Sequence, residues 1–259
     1  MEIPPPNGVI TLTTDFGLSD PYVGIMKGVI KKLHPRAEVV DYCHGIPAQD
    51  VTVGAMFLGA ALGRFPIGTV HVAVVDPSVG TARRALCMCA AGCYWLAPDN
   101  GLLSAVLAAE GGASEARHAD LEQLRLRPQS HTFHGRDVFA PLGAMLASGR
   151  WGFRALGPIA PRPVRIDALA GERVVAVDHF GNLITGVSAE EVAARGTKAV
   201  RIQGRVVPLR RTYQDVEPGI PLALINSYDR LEIAVCCGSA AAELRAGPGD
   251  PVVLLEDVL

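Results

Sequence analysis

Short apolar runs alternate with segments of helical periodicity along the first half of the chain. Strands are predicted at residues 9–13, 38–42 and 70–75, which are rich in β-branched and other apolar residues. The first helix is predicted to follow Asp20 and Pro21, which resemble an N-cap and a proline at the first helical position. The pattern therefore places helices between strands.

A second helix is predicted to begin after Asp50, a favourable N-cap residue, and to stop at Phe65. The resulting β-α-β-α-β order favours a mainly parallel sheet with right-handed crossovers. Further elements are predicted at residues 84–90 and 93–97 (strands) and at residues 102–110 and 138–146 (helices).

Three prolines between residues 157 and 165 indicate a linker, because proline disrupts helices and central strands. We predict an N-terminal α/β domain over residues 1–165, with a mainly parallel sheet, and a smaller C-terminal domain over residues 166–259. One helix is predicted there, at residues 189–195, among short β-type runs typical of a small β-barrel or sandwich. Those runs are residues 174–177, 200–202, 206–209, 221–225, 231–235 and 252–255.

The charge balance excludes some function classes. Lys and Arg number 24 against 26 Asp and Glu, for a net charge of -2, which gives no basic surface for nucleic acid or an anionic membrane. The first residues lack the basic and apolar regions of a signal peptide, and no segment has the roughly 18 uninterrupted apolar residues of a membrane span. We expect a cytoplasmic protein. Its six cysteines lack zinc-ligand spacing, so no metal is predicted.

Polar residues follow two of the predicted strands. Asp15 follows the first strand and Asp76 the third, so both carboxylates are expected at the C-terminal edge of the sheet, where open α/β folds bind ligands. Arg83 follows in the same loop as Asp76, and His134 comes later beside Phe133. A carboxylate, a guanidinium and an imidazole together can activate water. Asp15 can accept ribose hydroxyls, and the absence of a glycine-rich or Walker phosphate loop indicates a ligand without phosphate.

The second domain contains two polar clusters. Asp178, Phe180 and Asn182 surround a glycine turn, where Asn182 can pair with a purine edge and Phe180 can stack on it. A tight hairpin without a ligand is the alternative. Residues 225–232 form the other cluster, which is bounded by predicted strands.

Five strings occur in order: Thr-Asp-Phe-Gly (14–17), Val-Asp-Pro-Ser-Val-Gly (75–80), Phe-His-Gly-Arg-Asp (133–137), Asp-His-Phe-Gly-Asn (178–182) and Asn-Ser-Tyr (226–228). Together they resemble the S-adenosyl-L-methionine (SAM) hydroxide adenosyltransferase family, which is related to SAM-dependent fluorinase and chlorinase. The resemblance covers nearly the whole chain. It implies an N-terminal α/β domain, a C-terminal β-barrel, and a homotrimer whose active sites lie between the N-domain of one subunit and the C-domain of the next.

The resemblance also implies roles for individual residues. The family's catalytic triad falls on Asp76, Arg83 and His134, with Arg84 as an adjacent alternative, and its ribose-binding acid falls on Asp15. The other implied substrate-binding residues are Asp20, Asp178 and Ser227 for the methionine moiety, Phe180 and Asn182 for adenine, Tyr213 as an aromatic wall, and Phe133, Tyr228, Glu232 and Cys237.

The implied reaction is in-line attack of water or hydroxide on the ribose C5′ carbon of SAM, which gives adenosine and L-methionine. SAM is the substrate and no cofactor is expected. Asp76 and His134 stand where halogenating relatives carry other residues, which favours the hydroxide-using branch, although Cys236 and Cys237 replace the polar and small residues expected near adenine. A SAM-dependent halogenase and a non-catalytic adenosine- or SAM-binding protein stay as alternatives. The residues leave open whether Asp76 or His134 accepts the proton.

Overall fold

The structure is a computed structural model that describes residues 3–109, 115–167 and 170–256. The chain divides into two compact units, Met1–Ile166 and Asp167–Leu259. Each unit encloses its own hydrophobic core.

The N-terminal unit contains a six-stranded sheet in the order β2-β1-β3-β5-β4-β6. The strands β2, β1, β3 and β5 run parallel, whereas β4 pairs antiparallel with β5 and β6. The predicted mainly parallel sheet is therefore confirmed. The strands are β1 (Val9–Thr14), β2 (Glu38–Cys43), β3 (Val70–Val74), β4 (Ala85–Ala90), β5 (Cys93–Pro98) and β6 (Glu115–His118).

Helices connect and cover these strands: α1 (Tyr22–Leu33), α2 (Val51–Ala60), α3 (Ser104–Ala109), a π-helical turn (Gly135–Phe139) that leads into α4 (Ala140–Ala147), and a 3₁₀ turn (Phe153–Ala155). Gly143 allows α4 to lie close to the sheet, because a Cβ atom there would stand 2.6 Å from Cγ2 of Val72. The close approach fixes the π-helical turn relative to the end of β3.

The predicted N-cap of α2 is confirmed, whereas the predicted N-cap of α1 is wrong. Asp50 caps α2, since its carboxylate accepts a hydrogen bond of 2.9 Å from the backbone N–H of Val53. Pro21, not Asp20, occupies the N-cap position of α1, and no side chain caps this helix. The predicted second helix also ends early, at Ala60, because turns replace it before Phe65. The end of the helix predicted at residues 102–110 lies outside the described residues.

The C-terminal unit contains two antiparallel sheets, β11-β12-β8-β7 and β10-β9-β13. Bridges between Arg173 and Pro251 and between Leu209 and Ala223 join the sheets at both sides, so seven strands surround one core, as the predicted small barrel requires. The elements are β7 (Gly171–Val177), β8 (Leu183–Ser188), α5 (Ala189–Ala194), β9 (Ala199–Ile202), β10 (Arg205–Pro208), a 3₁₀ turn (Tyr213–Asp215), β11 (Pro221–Ile225), β12 (Arg230–Val235), α6 (Ala240–Leu244) and β13 (Val253–Leu255).

The strands β6 and β8 and the helix α6 were not predicted. In the described ranges, no helix has the length and hydropathy that crossing a bilayer requires.

Candidate active site

Asp76 and Arg83 form a buried ion pair at the carboxyl edge of the parallel strands. Nε of Arg83 donates to Oδ1 of Asp76 over 3.0 Å, and Nη2 donates to Oδ2, so the contact is bidentate. The side chains are only 4% (Asp76) and 9% (Arg83) exposed. Ser78 donates a further hydrogen bond of 3.2 Å to Oδ1. This arrangement holds the carboxylate in one orientation.

His134 contacts the same guanidinium. Nη2 of Arg83 lies 2.8 Å from Nδ1 of His134. Because a guanidinium carries only donors, Nδ1 must accept, and the ring proton of neutral His134 must sit on Nε2. Burial and the neighbouring Arg83 charge lower the pKa of His134, which favours this neutral form.

The neighbouring arginine serves a different cluster. Nη1 of Arg84 lies 3.0 Å from Nδ1 of His118, whose Nε2 lies 2.8 Å from a carboxylate oxygen of Asp99. Asp99 also accepts the backbone N–H of Val164 over 2.8 Å. The ambiguity between the two arginines is therefore resolved geometrically: Arg83 lies beside Asp76, and Arg84 lies beside His118.

A cleft of about 370 Å³ opens beside the first cluster. Asp15, Asp76, Phe133 and His134 all line it. The Asp15 carboxylate accepts a hydrogen bond of 2.8 Å from the backbone N–H of Gln49. Of the residues predicted for the N-terminal domain, Asp20 is exposed and is not among those that line this cleft.

Aromatic rings form one wall of the cleft. The ring of Phe133 packs edge-on against Tyr22 and Phe16, with centroid distances of 5.2 and 6.0 Å. Phe133 directly precedes His134, which is the last residue before the π-helical turn. Such turns occur frequently at functional sites.

A hydrogen-bonded chain supports the loop that carries Asp15. Oγ1 of Thr14 lies 2.8 Å from Nδ1 of His44, and Nε2 of His44 lies 3.0 Å from Asp41. Lys27 pairs with the other oxygen of Asp41. The buried His44 thus ties the end of β1 to the end of β2.

The C-terminal unit carries a cavity of about 390 Å³. The predicted residues that line it are Asp178, Phe180, Asn182, Tyr213, Ser227, Tyr228 and Glu232. Cys237 lines an adjoining cavity of about 630 Å³, which shares Phe180, Asn182 and Tyr213 with the first.

The turn at Asp178 is internally hydrogen-bonded. Oδ1 of Asp178 accepts the backbone N–H groups of Phe180 and Asn182, and Oδ2 accepts the side-chain amide of Asn182 over 3.0 Å. Gly181 has a φ of +84°, and a Cβ there would meet Oγ of Ser239 at 2.1 Å, so this turn requires glycine. The turn leaves Phe180 74% exposed, which suits a residue whose ring stacks on a ligand.

Glu232 is the buried acid of this cavity. It is 3% exposed and accepts hydrogen bonds from Oη of Tyr213 at 2.7 Å and from Nδ2 of Asn226 at 3.1 Å. Burial raises the pKa of Glu232, and nearby Asp178 raises it further, although the two donors oppose the shift. Burial and the Glu232 contact likewise raise the pKa of Tyr213.

Sequence reasoning missed several residues that complete these sites. Asn226 lies in the Asn-Ser-Tyr motif (226–228) and Ser78 lies two residues after Asp76 in the motif of residues 75–80, but neither was predicted as a site residue. Tyr22, Gln49 and Arg211 carried no local signal, because only the fold brings them to the cavities. Over the ranges that the structure describes, no group of three or more His, Cys, Asp or Glu side chains could hold a metal ion.

The fold and the sites define a two-domain α/β protein with a cluster of Asp76, Arg83 and His134 at its sheet edge and a cavity lined by Asp178 and Glu232 in its barrel. Comparison with models of protein families identifies the family of the chain. The SAM hydroxide adenosyltransferase N-terminal domain model matches residues 10–157, and the corresponding C-terminal domain model matches residues 172–253. The chain belongs to the SAM hydroxide adenosyltransferase family.

Known proteins resemble the chain over nearly its full length. The (R)-S-adenosyl-L-methionine hydrolase of Thermus thermophilus is 40% identical over 93% of this chain and 97% of its own. A fluorinase of Nocardia brasiliensis is more distant, at 28% identity over 92% of this chain and 94% of its own. The crystal structure of an uncharacterized conserved protein from Thermotoga maritima, 32% identical, superposes with a TM-score of 0.85 over 95% of this chain and 99% of that one.

Proposed function

We propose that this protein hydrolyses SAM to adenosine and L-methionine. The relative that is 40% identical carries the name of this activity, and its name specifies the R configuration, which we propose for the sulfonium of this substrate. The observation that carries the proposal is the contact of one Arg83 nitrogen with both Asp76 and His134, at the cleft that Asp76 and His134 line.

The triad suits a water molecule better than a halide ion. Nε2–H of His134 donates to one lone pair of the water, and the Asp76 carboxylate accepts one of its hydrogens. The remaining lone pair is then directed at the ribose C5′ carbon. This assignment makes Asp76 the proton acceptor, since both nitrogens of neutral His134 are engaged.

The bonds and charges balance without a further group. The oxygen of water forms a bond to C5′ while the C5′–sulfur bond breaks. The electron pair of the broken bond stays on sulfur and neutralises the sulfonium. Methionine leaves as a neutral thioether, so no general acid is needed. The released proton passes to Asp76 and then to solvent. A general base contributes about 10²–10⁴ in rate, and alignment contributes much of the rest.

The remaining predicted residues divide between the two units. We propose that Asp15 binds the ribose hydroxyls, that Asp20, Asp178, Ser227 and Tyr228 face the methionine moiety, and that Phe133, Phe180, Asn182, Tyr213 and Cys237 enclose the nucleoside. The resemblance to the family supports a homotrimer with active sites shared between subunits. Mixing an Asp76→Asn variant with a Ser227→Ala variant tests this: refolded mixtures regain activity only if one site uses both subunits. The cytoplasmic location stays a prediction.

Isotope labelling tests the reaction directly. Purified protein is incubated with SAM in ¹⁸O-labelled water, and mass spectrometry locates the label. We expect it in the 5′-hydroxyl of adenosine, with the R epimer consumed first. A 5′-halogenated nucleoside in the presence of halide would instead indicate the halogenase alternative. Binding of SAM without turnover would indicate a non-catalytic binding protein.

A further inference from the structure

His44 is a buried histidine to which the proposed reaction gives no role. It is 6% exposed and is not among the residues that line the cleft of Asp15 and Asp76. Both of its ring nitrogens nevertheless have polar partners, because Nδ1 lies 2.8 Å from Oγ1 of Thr14 and Nε2 lies 3.0 Å from Oδ1 of Asp41. These two contacts fix the orientation of the ring inside the protein.

The partners also determine which groups donate. Burial opposes the ionisation of Asp41, but the hydrogen bonds from Lys27 and His44 outweigh it and lower the pKa of Asp41. An ionised carboxylate only accepts, so Nε2 of neutral His44 carries the proton and Nδ1 accepts from the Thr14 hydroxyl. That hydroxyl accepts the backbone N–H of Phe16 over 3.2 Å. The hydrogen bonds therefore run in one direction, from the Phe16 amide to the Asp41 carboxylate.

The turn that carries Asp15 is held at both ends by His44. The ring of His44 contacts Thr14 at the start of the turn, and its backbone carbonyl accepts the N–H of Gly17 at the end over 2.9 Å. The Asp15 carboxylate itself accepts the backbone N–H of Gln49 through Oδ2. An ionised carboxylate offers about four acceptor positions, so Asp15 retains positions for two further donors.

The chain from Thr14 to Asp41 has the order hydroxyl, imidazole, carboxylate, which is also the order of a nucleophilic catalytic triad. Thr14 is 0% exposed, however, and it is not among the residues that line the cleft. Its hydroxyl does not reach a ligand from that position. The arrangement can act on a ligand only through the turn that Thr14 begins.

We infer that His44 is a positioning residue that, through Thr14, holds the Asp15 carboxylate in the orientation that accepts two ribose hydroxyls. The inference rests on the proposed function, which assigns the ribose to Asp15. A ribose presents its two hydroxyls at a fixed spacing, and hydrogen bonds weaken steeply when donor and acceptor are misaligned. A carboxylate oriented before binding therefore favours nucleosides that carry both hydroxyls, because binding does not have to order it.

Two nucleosides isolate the contact with the ribose. Adenosine carries both hydroxyls, and 2′,3′-dideoxyadenosine carries neither. Calorimetry would compare their affinities in the wild type, in His44→Leu and in Thr14→Val. We expect each variant to weaken adenosine binding about 3- to 10-fold, the range of one net hydrogen bond, and to leave dideoxyadenosine binding unchanged.

The strand β1 supplies a matched control. Oγ1 of Thr11 lies 2.8 Å from Nδ1 of the buried His71, as Oγ1 of Thr14 does from His44, but neither Thr11 nor His71 is among the residues that line the cleft. Thr11→Val and His71→Leu should therefore keep the wild-type ratio of the two affinities. An equal fall of the ratio in these controls would assign the effect to general loosening of β1 and overturn the inference.

Combination with Asp15→Ala separates positioning from an independent effect. Asp15→Ala alone should reduce the preference for adenosine. Adding His44→Leu to Asp15→Ala should reduce it no further, because His44 acts on the ribose only through the missing carboxylate. Additive losses would overturn the inference.

Other outcomes separate the inference from the reaction. An unchanged ratio in His44→Leu and Thr14→Val, equal weakening of both nucleosides, or a wild type that binds both equally overturns the role of His44 even if SAM is hydrolysed. Selective weakening without any SAM hydrolysis keeps the role of His44 and overturns the proposed reaction. Should His44→Leu fail to fold, Thr14→Val decides, since valine has nearly the shape of threonine and dideoxyadenosine binding reports that the variant is folded.

Discussion

Nη2 of Arg83 lies 2.8 Å from Nδ1 of His134, and this contact determines which ring nitrogen carries the proton. The same guanidinium grips Asp76 with two nitrogens. One planar cation therefore orients both the proton acceptor and the hydrogen-bond donor of the proposed water site. A lysine ammonium has a single nitrogen, so it cannot reproduce the two-nitrogen contact with Asp76 while also meeting His134.

Adjacent arginines allow a matched test of this contact. We expect Arg83→Lys to lower kcat for adenosine release about 10²- to 10³-fold, because Asp76 and His134 both lose their orientation. Arg84→Lys should stay within a few-fold of the wild type, because Arg84 contacts His118 instead. Chromatography of adenosine gives both rates. Comparable losses in the two variants would show that general destabilisation, not the triad, explains the effect.

The pH dependence of hydrolysis should reflect His134. Its pKa is lowered by burial and by Arg83, so it stays neutral from neutral pH down to below its ordinary value of 6.5. Protonation at more acidic pH adds a hydrogen to Nδ1, which then opposes the Arg83 donor. We expect kcat/KM to be level around neutrality and to fall only below pH 6.5. A fall centred above pH 6.5 would contradict this assignment.

Buried His71 should make the N-terminal unit sensitive to acid. Burial lowers the pKa of His71 to about 3, and its Nε2 has no hydrogen-bond partner. The pKa of His71 in the folded state is below its unfolded value of 6.5. His71 therefore does not reduce the free energy of unfolding above pH 6.5, and that free energy decreases as the pH falls toward 3. The loss should reach about 2 kcal/mol at pH 5.

Fluorescence-detected urea unfolding can measure this loss. Both tryptophans, Trp95 and Trp151, lie in the N-terminal unit, and the Trp95 ring stacks on His71 with a centroid distance of 4.0 Å. The variant His71→Leu should show a smaller difference in unfolding free energy between pH 7 and pH 5. The exposed His131→Leu control should retain the difference. An unchanged difference in His71→Leu would assign acid sensitivity to other groups.

Cys237 should be the thiol that a maleimide modifies first. It is the only exposed cysteine of the six, and it lines the cavity beside Phe180 and Asn182. Burial raises the pKa of Cys87 to about 12, which makes that thiol unreactive. Mass spectrometry after peptide digestion should find the label on Cys237, and S-adenosylhomocysteine should slow labelling. Faster labelling of another cysteine, or no protection, would contradict the placement of the nucleoside in this cavity.

Much of the fold could be predicted from short sequence patterns. The apolar runs of β1 and β3 and the cap at Asp50 gave correct elements, because burial and capping act within a few residues. The strand β6 could not be predicted in this way, because three of the four residues in Glu115–His118 are polar and the strand lies at the edge of the sheet beside β4. In β8, Thr185 and Gly186 interrupt the apolar pattern.

The sequence indicated which residues form the candidate sites, but it did not indicate which of them contact one another. The strand ends indicated where Asp15 and Asp76 emerge, since parallel strands deliver their carboxyl ends to one edge. Choosing Arg83 over Arg84 required the pairing of Leu86 with His118, which draws the second arginine toward β6. Distances between residues far apart in the chain depend on packing that no local pattern encodes.

Closure of the barrel has a consequence for how copies of the chain can associate. The bridges at Arg173 and at Leu209 give strands on both flanks of the C-terminal unit a backbone neighbour, so no full-length strand edge is left open in its described part. An open edge recruits other chains by continuing the sheet, and that route also leads to fibrils. We therefore expect association through this unit to depend on complementary side chains, which a single surface substitution can disrupt without unfolding the subunit.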